Sequence, residues 1–247
     1  MIAIMNKGKF QGRRFLSYCT VLIMLSAWFS AGSLASNLQD IPSYTLRYEV
    51  TFQGNSLGEL EISLRRQNNT VIVHGETFPN ALAKMLGEGK IIETVEYTQQ
   101  GDTLQLLRLT EQKGVDSSIT KTLLIDRDNH TLWADNQPIG LNIDDQIDAY
   151  TFPLLSILGL SEVNAGNEVK LVRAGKIRNY RYLEPIRETI HNRAGSFDTL
   201  KQARTRLNSS KTVSLWVTEK KPLMPVQIQV GRNDGSQVLV SLISISE

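Results

Sequence analysis

Alternation of apolar and polar residues at every second position most constrains the fold of this chain. From Tyr44 to Phe52, every even position is apolar and every odd position is polar. A period of two places successive side chains on opposite faces of a strand, so this segment predicts a strand with one buried and one wet face. A turn is predicted at Gly54-Asn55-Ser56, and the alternation resumes from Leu60 to Arg65. Two such strands joined by a short polar loop predict a hairpin.

The same alternation recurs along most of the chain. Further strands are predicted at Thr70 to Thr77, Lys90 to Thr98, Thr103 to Gln112, Ser117 to Asp126, Glu168 to Ala174, Asn179 to Glu184, Arg187 to Asn192, Phe197 to Leu207, Lys211 to Val217, Val226 to Val230 and Gln237 to Ser246. Regularly spaced strands without long intervening helices are typical of an antiparallel sheet. We therefore predict an all-β fold, either a long curved meander sheet or a half-open barrel.

Two segments break this pattern. Asn80 to Leu86 predicts a single helical turn, and Asp144 to Leu160 places apolar residues on one helical face behind acidic residues that suit a helix N-terminus. Pro153 lacks an N–H and should divide the second segment. We expect two short helices there, laid across one face of the sheet. A split into two subdomains near Gly166 is the alternative to one continuous sheet.

The N-terminal segment has the three parts of a secretory signal peptide. Four basic residues precede the apolar run Phe15 to Ala31, and small residues follow that run. Cleavage after Ala35 would leave residues 36–247 as a single exported domain. The alternative is a membrane anchor, because about 17 apolar residues approach the shortest length that spans a bilayer.

Removal of this peptide changes both the charge and the cysteine content. The first 35 residues hold four basic and no acidic residues, so the remainder has 23 basic and 25 acidic residues. A near-neutral exported domain is not expected to bind nucleic acid. The only cysteine, Cys19, lies inside the apolar run rather than at its end, so we expect neither a lipoprotein nor disulfides in the exported domain.

A search for catalytic and metal-binding groups favours a protein that is not an enzyme. His74, His130 and His191 lie far apart, and no nucleophile elbow, phosphate loop or dinucleotide motif occurs. We therefore expect no catalytic residues, no metal and no cofactor. Glu59 and Glu61 share one strand face, and such a carboxylate pair leaves a glycan hydrolase as a less favoured alternative.

Basic residues are concentrated in one part of the chain. Residues 170–211 contain eleven Lys or Arg against three acidic residues. Such a charged region can attract an anionic lipid headgroup, a polyanionic glycan or an acidic protein. The residues predicted for anion or partner docking are Arg173, Arg178, Arg181 and Arg204.

The order of several short motifs resembles a bacterial envelope family called domain of unknown function 3108. These motifs are Tyr48 to Phe52, Gly54, Gly58, Asp148 ahead of Leu154-Leu155, Leu215-Trp216-Val217, Pro225-Val226 and Gly235. The resemblance implies a Gram-negative periplasmic protein with a long curved antiparallel sheet, similar in outline to carriers of the lipoprotein-localisation-factor type. It implies no catalytic residues.

These observations lead to a binding hypothesis. A curved sheet offers one large apolar surface, and two short helices would cover it incompletely, so the concave face could hold a lipid or another amphiphile. The residues predicted to line it are Tyr48, Phe52, Phe152, Leu154, Leu155, Leu158 and Trp216. The alternative is an envelope assembly protein that docks a protein partner through the basic 170–211 region or an exposed strand edge. Any membrane contact is expected to be peripheral.

Overall fold

The computed structural model describes residues 43–100, 103–113, 119–126, 128–140, 147–149, 166, 168–173, 176–220 and 222–246. Sixteen strands and one short helix lie in these ranges. The first part contains β1 (Tyr44–Phe52), β2 (Asn55–Gln67), β3 (Thr70–Pro79), α1 (Ala81–Met85), β4 (Ile91–Gln100), β5 (Thr103–Lys113), β6 (Ile119–Asp126), β7 (Thr131–Ala134) and β8 (Gln137–Gly140). The second part contains β9 (Ile147–Ala149), β10 (Glu168–Arg173), β11 (Lys176–Tyr182), β12 (Ile186–Asn192), β13 (Gly195–Arg206), β14 (Thr212–Thr218), β15 (Pro225–Gly231) and β16 (Gln237–Ser246).

All these strands belong to one sheet, which confirms the predicted fold class. The order is β8-β7-β6-β5-β4-β3-β2-β1-β16-β15-β14-β13-β11-β10-β9, with β12 paired to β13 beside β11. Neighbours are antiparallel except β9 and β10, which are parallel. The chain thus forms two meanders that meet where β1 pairs with β16. The sheet does not close into a barrel, although β9 lies against β5 of the other meander.

Most predicted strands are present, and two of the predicted local features need correction. The first hairpin turns at Gln53 and Gly54, both with positive φ, one residue earlier than predicted. The predicted helices over Asp144 to Leu160 are wrong where the structure describes that segment, because Ile147–Ala149 form β9. The backbone of β9 pairs with residues about twenty positions later in the chain, and this tertiary pairing outweighs the local helical period. Residues 144–146 and 150–160 lie outside the described residues. The one-turn helix α1 is confirmed within Asn80 to Leu86.

The apolar side chains of both meanders share one face of the sheet, which we call the inner face. Residues directly opposite each other on paired strands lie on the same face. Tyr48 of β1 is opposite Leu60 of β2 and Leu242 of β16, and this register continues through both meanders. The following inner-face side chains are buried: Leu46, Ile62, Leu64, Val73, Val95, Leu123, Val213, Leu215, Ile228 and Val240.

Candidate functional site

A group of arginines lies on the inner face at the β11–β13 end of the sheet. Arg204 is opposite Val213 of β14, whose side chain belongs to the buried core. Arg206 is opposite Tyr180 of β11, and Arg178 is two residues before Tyr180 on the same strand. Residues two positions apart in a strand share a face, so Arg178, Arg204 and Arg206 surround Tyr180 on the side that carries the apolar core. We call these three residues the arginine group.

Burial differs within the arginine group. Arg204 is 5% exposed, and its Cζ atom lies 5.6 Å from the ring centroid of the fully buried Tyr180. Arg178 and Arg206 are half-buried and form no ion pair with any other described residue. Arg178 and Arg206 are like charges beside an apolar surface, so an anion placed between them would be attracted.

Arg181 differs from its neighbours in both face and pairing. It directly follows Tyr180, so it lies on the opposite face, which we call the outer face. Its Nη2 atom donates a hydrogen bond to Glu168 Oε1 at 2.8 Å. The arginines predicted to act together are therefore divided between two faces of the sheet. Arg173 lies opposite Lys176 in the β10–β11 register.

Tyr48 is part of the core. Its side chain is fully buried, and its hydroxyl donates a hydrogen bond to the carbonyl oxygen of Pro225 at 2.8 Å. Burial raises the pKa of the Tyr48 hydroxyl well above its ordinary value, and the neighbouring hydroxyl of Tyr44 raises it further. Both groups stay protonated in the folded protein. A ligand could contact Tyr48 only if the apolar side chains that enclose it moved apart.

Trp216 lies on the outer face, because it follows Leu215 of the inner face. Its indole N–H donates a hydrogen bond to Glu188 Oε1 on β12. The ammonium group of Lys201 lies 4.7 Å from the centroid of the indole ring. Trp216 and Tyr48, predicted to line one surface, are thus placed on opposite faces.

The other predicted ligand-lining residues have separate surroundings. Phe52 is four residues after Tyr48 in β1, so it lies on the same inner face, where it is half-buried. Arg232 Cζ lies 5.2 Å from its ring centroid. Four predicted lid residues lie outside the described residues: Phe152, Leu154, Leu155 and Leu158.

The inner face of the first meander also carries acidic residues that the sequence did not single out. Glu93 of β4 is 2% exposed and lies opposite Gly75 of β3 and Glu111 of β5. Lys121 Nζ of β6 approaches Glu111 Oε1 to 3.7 Å. In the sequence, Glu93, Val95 and Tyr97 stand at every second position, as residues on one face of a strand do. This spacing is the only sequence signal that could have placed Glu93 on the inner face.

On the outer face, β2, β3 and β4 form an open depression. Its volume is about 320 Å³, and its lining residues are Ser63, Arg65, Gln67, Ile72, His74 and Thr94. His74 Nδ1 and Thr94 Oγ1 are 3.0 Å apart. Nothing in the alternation distinguishes these residues from any other wet strand face, so the sequence did not identify this depression.

The glutamates considered for hydrolase chemistry are engaged in ion pairs on the same outer face. Arg47 lies between them, with its Nε 3.6 Å from Glu59 Oε2 and its Nη2 3.3 Å from Glu61 Oε2. Both carboxylates are therefore held by the same guanidinium. Within the described ranges, no group of three or more His, Cys, Asp or Glu side chains is arranged to bind one metal ion. No helix in the described part of the chain has both the length and the apolar character needed to cross a bilayer.

Comparisons with known proteins place the chain in no family. No protein-family model matches it, and no curated protein matches it. Among solved structures, it is similar to a predicted lipoprotein from Parabacteroides distasonis, with 10% identity over 83% of this chain and 95% of that chain and a TM-score of 0.33. It is also similar to a predicted exported protein with a YmcC-like fold from Bacteroides fragilis, with 10% identity, the same coverage and a TM-score of 0.31. Similarity this low carries no argument about function, and the resemblance to domain of unknown function 3108 stays a prediction.

Proposed function

We propose that this protein is exported to the periplasm and binds an amphiphile with an anionic head group. The hydrocarbon part would insert among the apolar side chains of the inner face, which the fold itself already buries and which would have to separate, and the head group would pair with Arg178 and Arg206. The observation that carries this proposal is the register, which places the arginine group on the same face as the core side chains. The export step is supported by the basic, apolar and small-residue order of the N-terminus.

The acyl chain of such a ligand suits the apolar side chains of the inner face, and its anionic head group suits the arginines. Each methylene removed from water contributes about 0.8 kcal/mol, so a long acyl chain supplies affinity without any specific contact. Guanidinium groups pair with carboxylate or phosphate oxygens through two parallel hydrogen bonds, which supplies orientation.

The alternatives receive less support. A partner that docks on the basic 170–211 region would meet a divided set of arginines, because Arg181 is paired with Glu168 on the outer face. A hydrolase that uses Glu59 and Glu61 would need both carboxylates free, whereas Arg47 holds them in ion pairs.

The first test is mass spectrometry of small molecules extracted from the protein, purified without detergent from periplasmic extract. The second test compares the binding of a fluorescent long-chain fatty acid with that of the matched fatty alcohol. We expect the acid to bind more tightly, because only the acid carries the charge that the arginine group would recognise.

Variants of β11 and β13 provide the control for this test. Arg178→Gln combined with Arg206→Gln should remove the preference for the acid, by about tenfold for two charge-assisted contacts. Arg181→Gln removes one positive charge from the outer face of β11 and should leave the preference intact. If Arg181→Gln has the same effect as the double variant, or if neither probe binds, the proposal is wrong.

A further inference from the structure

The connection between β3 and β4 presents an exposed apolar surface. Met85 is 85% exposed, Leu86 62%, Phe78 43% and Leu82 41%. These four side chains lie within nine consecutive residues around α1, and we call them the apolar tip. A cluster of large exposed apolar residues at one position on a surface is typical of a docking site.

Hydrogen bonds hold the apolar tip in place. The backbone N–H of Asn80 donates to the carbonyl oxygen of Leu57 at 2.9 Å, and its side-chain amide donates to the carbonyl oxygen of Ser56 at 2.8 Å. Asn80 Oδ1 accepts a hydrogen bond from the N–H of Ala83 and so caps α1. The tip is therefore fixed to the end of β2, and its exposure is a property of the folded structure.

The register shows which strand ends lie beside the apolar tip. Gly58 of β2 pairs with Pro79, and the neighbouring strands continue in order across the sheet. The turn after β1, the β13–β14 turn, the β15–β16 turn and the β10–β11 turn all lie at this end, which we call the α1 end. The opposite end contains the β2–β3, β6–β7, β12–β13 and β14–β15 turns.

Charge differs between the two ends. Among the described residues, the terminal strand positions and turns of the α1 end include Lys84, Lys90, Lys113, Arg206, Lys211 and Arg232, together with Arg173 and Lys176 of the β10–β11 turn. The acidic residues at the same positions are Glu88, Asp135, Glu168 and Asp234. In the described part of the opposite end, the two signs are nearly balanced, with Asp126, Asp128 and Glu219 against Arg193 and Lys220.

We propose that the α1 end docks on the surface of an anionic lipid bilayer. The apolar tip would enter the interface between head groups and acyl chains, and the surrounding Lys and Arg side chains would contact the head groups. Lys90 lies beside the apolar tip, with its ammonium group 5.9 Å from the ring centroid of Phe78, and the same group also forms an ion pair with Glu76. A protruding apolar turn inside a cationic surface suits an anionic bilayer better than an acidic protein, which would leave Met85 and Leu86 without an apolar partner.

This docking goes beyond the proposed function and does not depend on it. The arginine group lies toward the α1 end of β11 and β13, so docking would bring the inner-face anion site near the bilayer. An exchange of amphiphiles with the membrane would follow if both proposals hold. The two proposals nevertheless use different residues, and each can fail alone.

Sedimentation of the full processed protein with vesicles tests the docking. We expect binding to vesicles of phosphatidylethanolamine and phosphatidylglycerol, weaker binding as salt concentration rises, and little binding to vesicles of phosphatidylcholine alone. Met85→Gln combined with Leu86→Gln should reduce binding by about tenfold or more, because two side chains that would be buried in the interface become polar. Both positions are exposed, and Gln has a helix propensity close to that of Met and Leu, so folding should be unaffected.

A second pair of exposed apolar residues provides the control. Leu183 is 41% and Ile186 54% exposed, and they lie between β11 and β12, away from the α1 end. Leu183→Gln combined with Ile186→Gln should leave sedimentation unchanged. Equal loss in both double variants, equal binding to phosphatidylcholine, or no loss in the Met85 and Leu86 variant would overturn the proposal. A protein that binds the fatty acid probe but does not sediment with anionic vesicles would overturn the docking alone.

Discussion

Replacement of Gly58 by alanine tests how the end of β2 is built. The register of β1 and β2 shifts between Val50 and Thr51, so β2 carries a bulge in which Gly58 adopts φ +133°. A Cβ atom added at Gly58 would lie 2.2 Å from the carbonyl oxygen of Phe78 and 3.0 Å from the backbone nitrogen of Asn80. Both neighbours are backbone atoms, so they cannot move aside as a flexible side chain would.

Two costs determine the expected effect of Gly58→Ala. A residue with a Cβ atom in this region of φ is strained by about 1–3 kcal/mol, and an overlap that forces the backbone to shift costs about 1–3 kcal/mol more. We therefore expect the free energy of unfolding to fall by about 3 kcal/mol or more. The backbone that must shift belongs to Phe78 and Asn80, which hold the apolar tip.

Gly54 provides the matched control for this substitution. It also has a positive φ, +82°, but no atom lies within 4 Å of the position that its Cβ atom would occupy. Gly54→Ala should therefore cost only the backbone strain, about 1–2 kcal/mol.

Equilibrium unfolding in urea, followed by tryptophan fluorescence, gives both free energies. A larger loss for Gly58→Ala than for Gly54→Ala is the expected result. Equal losses would show that the close approach of Phe78 to β2 is not maintained in solution, and the reasoning about the bulge would then be refuted.

Two further predictions concern buried hydrogen-bonding groups. Burial raises the pKa of Tyr44 and Tyr48 in the folded protein. Above about pH 10 the unfolded chain therefore releases protons that the folded protein keeps. The free energy of unfolding should fall as pH rises through this range. Tyr48→Phe should lose about 1 kcal/mol at neutral pH because the hydrogen bond to Pro225 is absent, yet its alkaline loss should be less steep than that of the wild type; an identical pH profile would contradict this. Glu188→Ala should destabilise the protein by about 1–3 kcal/mol, because the buried indole N–H of Trp216 loses its acceptor, whereas Glu188→Gln keeps an acceptor oxygen. Urea unfolding of both variants checks this, and equal stability of the two would argue against a role for this hydrogen bond.

Strand positions could be predicted from the sequence where the alternation was long. β1 and β16 agree with the predicted limits, and α1 lies within the predicted helical turn. β7 and β8 were missed because each has only four residues and β8 contains Pro138 and Gly140. Proline is tolerated on an edge strand because its missing N–H interrupts no ladder. β9 has only three residues, and its pairing with β10 determines its conformation.

The candidate site could be predicted only in part. The basic residues of β11 and β13 were identified from their charge, and the distinction between Arg178 and Arg181 required the assignment of faces. Alternation places Arg178 and Arg181 on opposite faces of one strand. The sequence does not show which of those two faces is buried, because both residues are charged. The apolar tip had no distinctive signal, since Leu82, Met85 and Leu86 resemble the residues of any short buried helix.

The sequence by itself determined that this chain is a β-sheet protein, because a period of two over many segments is incompatible with a helix, and the lack of long helices between those segments favours antiparallel pairing. It also located the first hairpin turn to within one residue, because the backbone conformations that turns require favour Gly, Asn and Asp. Only the tertiary structure decided which strands pair, and therefore which side chains share a face. The pairing of β1 with β16 joins residues about two hundred positions apart, and the local bulges set the register on either side. Three features follow from that register, since each depends on side chains brought together from distant strands. They are the arginines on the inner face, the placement of Tyr48 and Trp216 on opposite faces, and the charge difference between the two ends.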